Sequence, residues 1–264
     1  EIPLRLVGSE MCIRDRQYFI IVFSGADMPI YRIADLNVEV NPKFKICRKR
    51  LESYAVKSNE SGKTDIAISV SDDEIRERLR LSDNLSEQGA EDVLILSKFC
   101  NAVLDGFDGF FFHSSCLELD GEGYVFSAVS GTGKSTHTAL WRRHFGNRVT
   151  MINDDKPVIR KCDGKFYAYG TPWMGKADIG TNTKAPVKAV YILQRAEENT
   201  AVRVLPSQVM KQLLEATVID VERSRMEKLL ELLDEFFKET PLFLLGCNMD
   251  ESAVMTAYNA ANGG

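Results

Sequence analysis

The sequence predicts an α/β fold organised around a glycine-rich loop, and three observations carry that expectation. Segments with period-2 apolar alternation are interleaved with segments of 3.6 periodicity, so strands and helices follow one another along the chain. One strand pattern, Tyr124-Val125-Phe126-Ser127-Ala128, passes through Gly131 and Gly133 into a helical pattern at Ala139, Leu140 and Trp141. That strand, loop and helix order is the context of a phosphate loop. The third is composition: 264 residues at 44% hydrophobic and 27% charged can bury about 70–75% of the unfolded surface with no disulfide or metal staple.

Taken in order, the first residues stand apart. Val7 to Arg16 reads as the translation of a sequencing adapter, so residues 1–16 are expected to be non-native, with Met28 as the native start. Short strands are expected over 31–33, 38–40, 54–56 and 66–70, the last with Ile66, Ile68 and Val70 on one face. The basic cluster Lys43, Lys45, Arg48, Lys49 and Arg50 reads as a solvated strand face or loop. Ser71 before Asp72, Asp73 and Glu74 predicts a capped helix start with acids at the positive end of the dipole. A helix over 87–104 places Val93, Leu96, Cys100, Val103 and Leu104 on one face. These elements make up a region, 28–105, expected to pack on the core of a second, 106–264.

The second region opens with a hairpin, 110–119 and 124–128, around the turn Asp120-Gly121-Glu122-Gly123. After the glycine loop and its helix come a strand over 149–152 ending in Asn153-Asp154-Asp155, and a hairpin of 158–160 and 166–168 around Asp163-Gly164. A loop over 170–176 follows, then strands over 187–193 and 201–205, helices over 207–216 and 221–238, a strand over 242–245 and a helix from Glu251.

Composition excludes several classes of function. Lys plus Arg is 33 against 38 for Asp plus Glu, a net charge of −5, which argues against a dedicated nucleic-acid binder. The longest apolar runs, 18–23 and 242–247, fall far short of the ~20 residues of a membrane span. Arg14 and Arg16 imitate the start of a signal peptide, but the apolar stretch after them is too short. Cys12, Cys47, Cys100, Cys116, Cys162 and Cys247 are scattered with no CxxC pair, the usage of reduced thiols in the cytoplasm.

The chemistry concentrates at Ala128-Val129-Ser130-Gly131-Thr132-Gly133-Lys134-Ser135, which fits G-x-x-x-x-G-K-[ST] except that Ala128 replaces the first glycine. Ser130, Gly131, Thr132, Gly133, Lys134, Ser135 and Thr136 are the expected ATP-binding set, with Lys134 at the β/γ-phosphates and the Ser135 hydroxyl on Mg²⁺. Asp154 and Asp155 end the next strand, where neighbouring side chains point apart. One can help Ser135 hold the metal, the role expected of Asp154, while Asp155 turns to an acceptor hydroxyl. Trp173 and Lys176, in a loop dense in Gly and Pro, are candidate substrate contacts, against the reading of a structural turn with a buried Trp173. His137 and Trp141 read as packing residues of the loop's helix.

His113, the run from Ser130 to Ser135, and Asp154-Asp155 together resemble the catalytic domain of HPr kinase/phosphorylase, and more distantly the ATP-dependent phosphoenolpyruvate carboxykinases of the same fold. The resemblance covers about 113–155. It implies a mixed sheet with flanking helices, an active-site role for His113, ATP and Mg²⁺ contacts for Lys134 and Ser135, and proton acceptance by Asp155. Two features depart from that group: Thr136 stands where a glutamate normally follows the loop, and the later glycine-rich signature with its metal-binding glutamate is missing. The expected function is therefore ATP-dependent phosphoryl transfer to a hydroxyl of a small molecule or peptide other than HPr. The alternatives are carboxykinase-like chemistry on an oxo-acid, for which the chain has no separate substrate lobe, and a nucleotide-binding regulatory module without turnover.

Overall fold

The computed structural model describes residues 28–57, 62–82, 84–129, 131–217 and 223–263. Residues 1–16, Ser130 and the expected helix start at Val221 lie outside the described residues. Early in the chain, β1 (Ile30–Ile33), β2 (Leu36–Val40) and β3 (Ile66–Ile68) form a three-stranded sheet in that order, and α1 (Lys45–Leu51), α2 (Asp72–Arg80) and α3 (Glu87–Gly106) accompany it. Ser71 makes the full capping box with Glu74 at the start of α2, which satisfies two backbone donors that a helix start leaves open.

The larger sheet has nine strands. It holds β4 (Gly109–Phe111), β5 (Ser115–Leu119), β6 (Glu122–Ser127), β7 (Val149–Asn153), β8 (Val158–Cys162), β9 (Lys165–Tyr169), β10 (Lys184–Arg195), β11 (Thr200–Arg203) and β12 (Leu242–Cys247). The order β4-β8-β9-β10-β6-β5-β7 is extended by β12, which pairs with β10, and β11, which pairs with β12. Pairing is parallel for β10 with β6 and with β12, and antiparallel elsewhere, so the sheet is mixed. Helix α4 (Lys134–Phe145) follows β6, α5 (Met210–Thr217) and α6 (Arg223–Glu239) precede β12, and α7 (Ser252–Ala261) comes last.

Strands buried on both faces need helices over them. Leu213, Leu229, Leu233 and Phe236 of α5 and α6 pack with Val125, Val190 and Ile192, while Leu140, Trp141, Val254 and Ala257 of α4 and α7 pack with Tyr124, Phe126 and Tyr191. A third cluster joins the first sheet and α3 to the larger one through Phe111, Val158, Tyr169 and Trp173. Among the described residues no helix is long and apolar enough to cross a membrane.

Three expectations are corrected. The stretch 110–119 is two strands: β4 pairs with β8, β5 pairs with β6 and β7, and the chain between them is held by bonds from Phe112 N to Pro157 O (3.1 Å) and Ser114 N to Asp155 O (3.2 Å). The stretch 54–56 is the end of a 3₁₀ turn, Glu52–Tyr54, that buries Tyr54; only Ala55 bridges, to Tyr31. Of the basic cluster, Lys43 precedes α1 and Lys45, Arg48, Lys49 and Arg50 lie on it, a helix with Cys47 and Leu51 buried one turn apart. Its start has no local side-chain cap; the buried Glu91 of α3 accepts instead from Lys43 N at 2.6 Å and Phe44 N at 3.0 Å. Arg48, Lys49 and Arg50 fall in its last turn, where the dipole favours them.

Candidate active site

The buried β6 delivers the chain to the glycine loop, and α4 departs from it. Gly131 (φ +80°) and Gly133 (φ +121°) adopt positive φ. A Cβ would meet nothing within 4 Å at Gly131 and only Thr136 Cβ at 3.9 Å from Gly133, so the demand for glycine there is one of backbone conformation rather than of space. Gly133 is also the N-cap of α4, and among the described residues no side chain caps that end. The first-turn N–H groups, those of Lys134, Ser135 and Thr136, therefore face outward at the positive end of a 12-residue helix, the arrangement that binds anions. Ser135 and Thr136 are exposed. Arg195 at the end of β10 steadies the loop, its Nη2 donating to Gly131 O at 2.7 Å.

Helix α4 is anchored by His137 and Trp141. His137 is 2% exposed, its Nε2 accepts from Trp141 Nε1 at 3.0 Å, and its ring lies 4.9 Å from that of Phe126. Burial pushes its pKa down to about 4, so it is a neutral packing residue at physiological pH.

His113 lies between β4 and β5, where its backbone N donates to Ala216 O (2.7 Å) and its carbonyl accepts from Ser127 Oγ (3.0 Å). These bonds aim the ring at the loop. Lys134 Nζ is 3.4 Å from His113 Nε2, and the same Nε2 is 3.1 Å from Asp155 Oδ1. One ring nitrogen is thus shared between an ammonium and a carboxylate; it donates to Asp155 when protonated and accepts from Lys134 when not. Lys134 has its pKa lowered by burial, partly offset by the nearby charges of Asp155 and Asp154.

The two aspartates diverge at the end of β7. Asp154 is buried, and its Oδ1 accepts from Ser115 Oγ. Asp155 faces His113 on one oxygen and accepts from Lys156 Nζ on the other. Burial alone would raise Asp155; the hydrogen bonds and charges of His113 and Lys156 outweigh it and hold the carboxyl at about 2. The backbone beneath is fixed by Asn153, whose Oδ1 accepts from Asp155 N (2.8 Å) and Lys156 N (2.6 Å) while its Nδ2 donates to Thr171 O (2.9 Å). Among the described residues no group of three or more His, Cys, Asp and Glu side chains is placed to hold a metal ion. Ser135 and Asp154 each carry a hard oxygen of the kind Mg²⁺ accepts beside phosphates and waters; Ser135 is exposed at the start of α4, while Asp154 is buried against Ser115.

Trp173 is corrected as a candidate substrate contact: it is 3% exposed, stacks on Phe99 at 5.8 Å and donates Nε1 to Asp92 Oδ1 at 3.2 Å. Its loop nonetheless reaches the site through Gly175, where a Cβ would come within 2.9 Å of Asp155 Cβ. Lys176 is exposed beyond it. Sequence reasoning missed Asn153, Lys156, Gly175 and Arg195. Asn153 carried a usable signal, since Asn before two acids is a common Asx turn; Gly175 and Arg195 reach the site only through tertiary structure.

Neither a family model nor a curated protein matches the sequence. Among solved structures the chain is similar to the HPr(Ser) kinase/phosphatase from Coxiella burnetii, at 12% identity and a TM-score of 0.33, over 58% of this chain and 93% of that one.

Proposed function

We infer that this chain binds Mg-ATP on the loop from Ser130 to Thr136 and transfers the terminal phosphoryl group to a hydroxyl of a small molecule or peptide. The observation that carries the reading is the meeting of Lys134, His113 and Asp155, from three separate segments, at the open end of α4. An anion-binding helix end beside a lysine, a histidine and an ionised carboxylate is the equipment of phosphoryl transfer, where catalysis is mostly positioning and charge stabilisation.

The roles follow from position. The loop and first-turn N–H groups take the phosphate oxygens, and Lys134 adds a positive charge to them. Ser135 and Asp154 hold the cation, which when bound neutralises charge on the phosphates. With a proton on Nε2, His113 donates a hydrogen bond to Asp155 and leaves Lys134 free to face phosphate. Asp155 accepts the hydrogen bond of the incoming hydroxyl. With a pKa of about 2 it is a weak base but always ionised, which suits a loose transition state in which orientation outweighs early proton transfer. The described cysteines are free thiols, in keeping with work in the cytoplasm.

Calorimetric titration of Mg-ATP into the parent protein and Lys134→Ala tests the binding half of this reading. The expected result is weaker binding by the variant at unchanged thermal stability, since Lys134 is only half-buried; equal affinities contradict it.

A further inference from the structure

Beside the glycine loop, outside the group of His113, Lys134 and Asp155, lies a cleft of about 210 Å³. Ile192 of β10 and Leu244 of β12 line it together with Val129 of the loop, whose apolar side chain is 63% exposed. Gln194 and Arg195 at the end of β10 and Gln212 of α5 also line it, with Thr132 and Leu193. The cleft is continuous with the loop, because Arg195 is bonded to Gly131 O. It is also tied to the site, because Ala216, one turn along α5 from Gln212, accepts from the backbone of His113.

This inference rests on the phosphate-binding reading of the loop and extends it to the other end of the nucleotide. Small-molecule sites are mostly apolar with a few placed polar groups, and a whole drug-sized ligand needs roughly 300–1,000 Å³. A smaller cleft next to a phosphate site suits one end of such a ligand. A nucleotide base has two apolar faces and an edge of donors and acceptors, and a primary amide supplies both a donor and an acceptor to such an edge. The amides of Gln194 and Gln212 have no hydrogen-bond partner among the described residues. We propose that this cleft seats the base of the bound nucleoside triphosphate, with Ile192, Leu244 and Val129 against its faces and Gln194 and Gln212 reading its edge.

The test compares Mg-ATP with magnesium tripolyphosphate, which carries the phosphate chain without a nucleoside, in titrations of the full chain and of the Gln194→Ala/Gln212→Ala double variant. Both residues are at least partly exposed, so the variant is expected to fold, and its unchanged melting temperature checks this. The expected result is that the parent binds ATP at least tenfold more tightly than tripolyphosphate, and that the double variant loses most of that advantage with tripolyphosphate affinity unchanged. Tripolyphosphate binding with ATP no tighter, or a variant that keeps the full ATP advantage, overturns the base site alone. Failure of the parent to bind either ligand overturns the reading of the loop, and this inference with it.

Discussion

Gly175 shows how closely a single residue controls the site. Its φ of +71° lies in the left-handed region, and an added Cβ would stand 2.9 Å from Asp155 Cβ, nearer than real contacts allow. Gly175→Ala therefore meets two obstacles: about 1–2 kcal/mol of backbone strain, and a push on the carboxylate that faces His113. Phosphoryl transfer is expected to fall by roughly 10²-fold, the scale of an ångström-sized misplacement, while ATP affinity stays near the parent value. Steady-state turnover beside calorimetry measures both, and an Ala variant that turns over at the parent rate would show that Asp155 tolerates displacement. The glycine loop and the Asp154-Asp155 pair were legible in the sequence because their chemistry is local and contiguous. Gly175 was not, because its constraint comes from a side chain 20 positions earlier that only the fold brings against it.

At the scale of elements, α4 couples the loop to the core through His137, and that coupling depends on pH. Burial lowers the His137 pKa from 6.5 to about 4, so the folded state favours the neutral ring. The sign follows from linkage: below pH 6.5 the unfolded chain binds a proton that the folded one refuses, so stability present above 6.5 is lost as pH falls toward 4. The shift corresponds to a few kcal/mol, on the order of 3. Melting temperature is expected to fall over this window, and His137→Gln, which keeps an acceptor for Trp141 Nε1 without titrating, is expected to flatten the dependence. An identical pH profile in the variant would remove His137 as its source. The element pattern itself was largely readable, with the capped α2, the long α3 and the strand-loop-helix unit all signalled by periodicity or caps. Helix α1 was not, since its start is capped by Glu91, 48 residues from Lys43 in sequence. Nor was the break between β4 and β5, which arises from bonds to Pro157, Asp155 and Ala216.

Across the whole molecule, the early sheet and the site are joined through buried contacts. Arg160 donates to Ala34 O and lies 5.6 Å from the rings of both Phe107 and Tyr169. Trp173 fills the space against Phe99 and bonds to Asp92, which also pairs with Arg50 of α1. The loop that carries Gly175 to Asp155 is thus held from beneath by α3. Trp173→Ala opens a cavity in this seam and removes a donor from Asp92, and the expected cost is about 3–5 kcal/mol. Denaturant unfolding measures it, and a loss below about 1 kcal/mol would show that the seam contributes little. The mixed sheet and its helices were anticipated in outline. The seam was not, because nothing in the order of residues shows which face of α3 meets Trp173.

In the proposed mechanism Asp155 orients a hydroxyl for attack on a phosphate held by the loop and Lys134. The most direct measurement is phosphate release from Mg-ATP, with water as acceptor, by the parent protein and by Asp155→Asn at equal nucleotide occupancy. The account predicts parent turnover above the uncatalysed rate and a fall of about 10²–10⁴-fold in the variant, with ATP binding retained. A variant that releases phosphate as fast as the parent would contradict the mechanism and leave the chain a nucleotide-binding module.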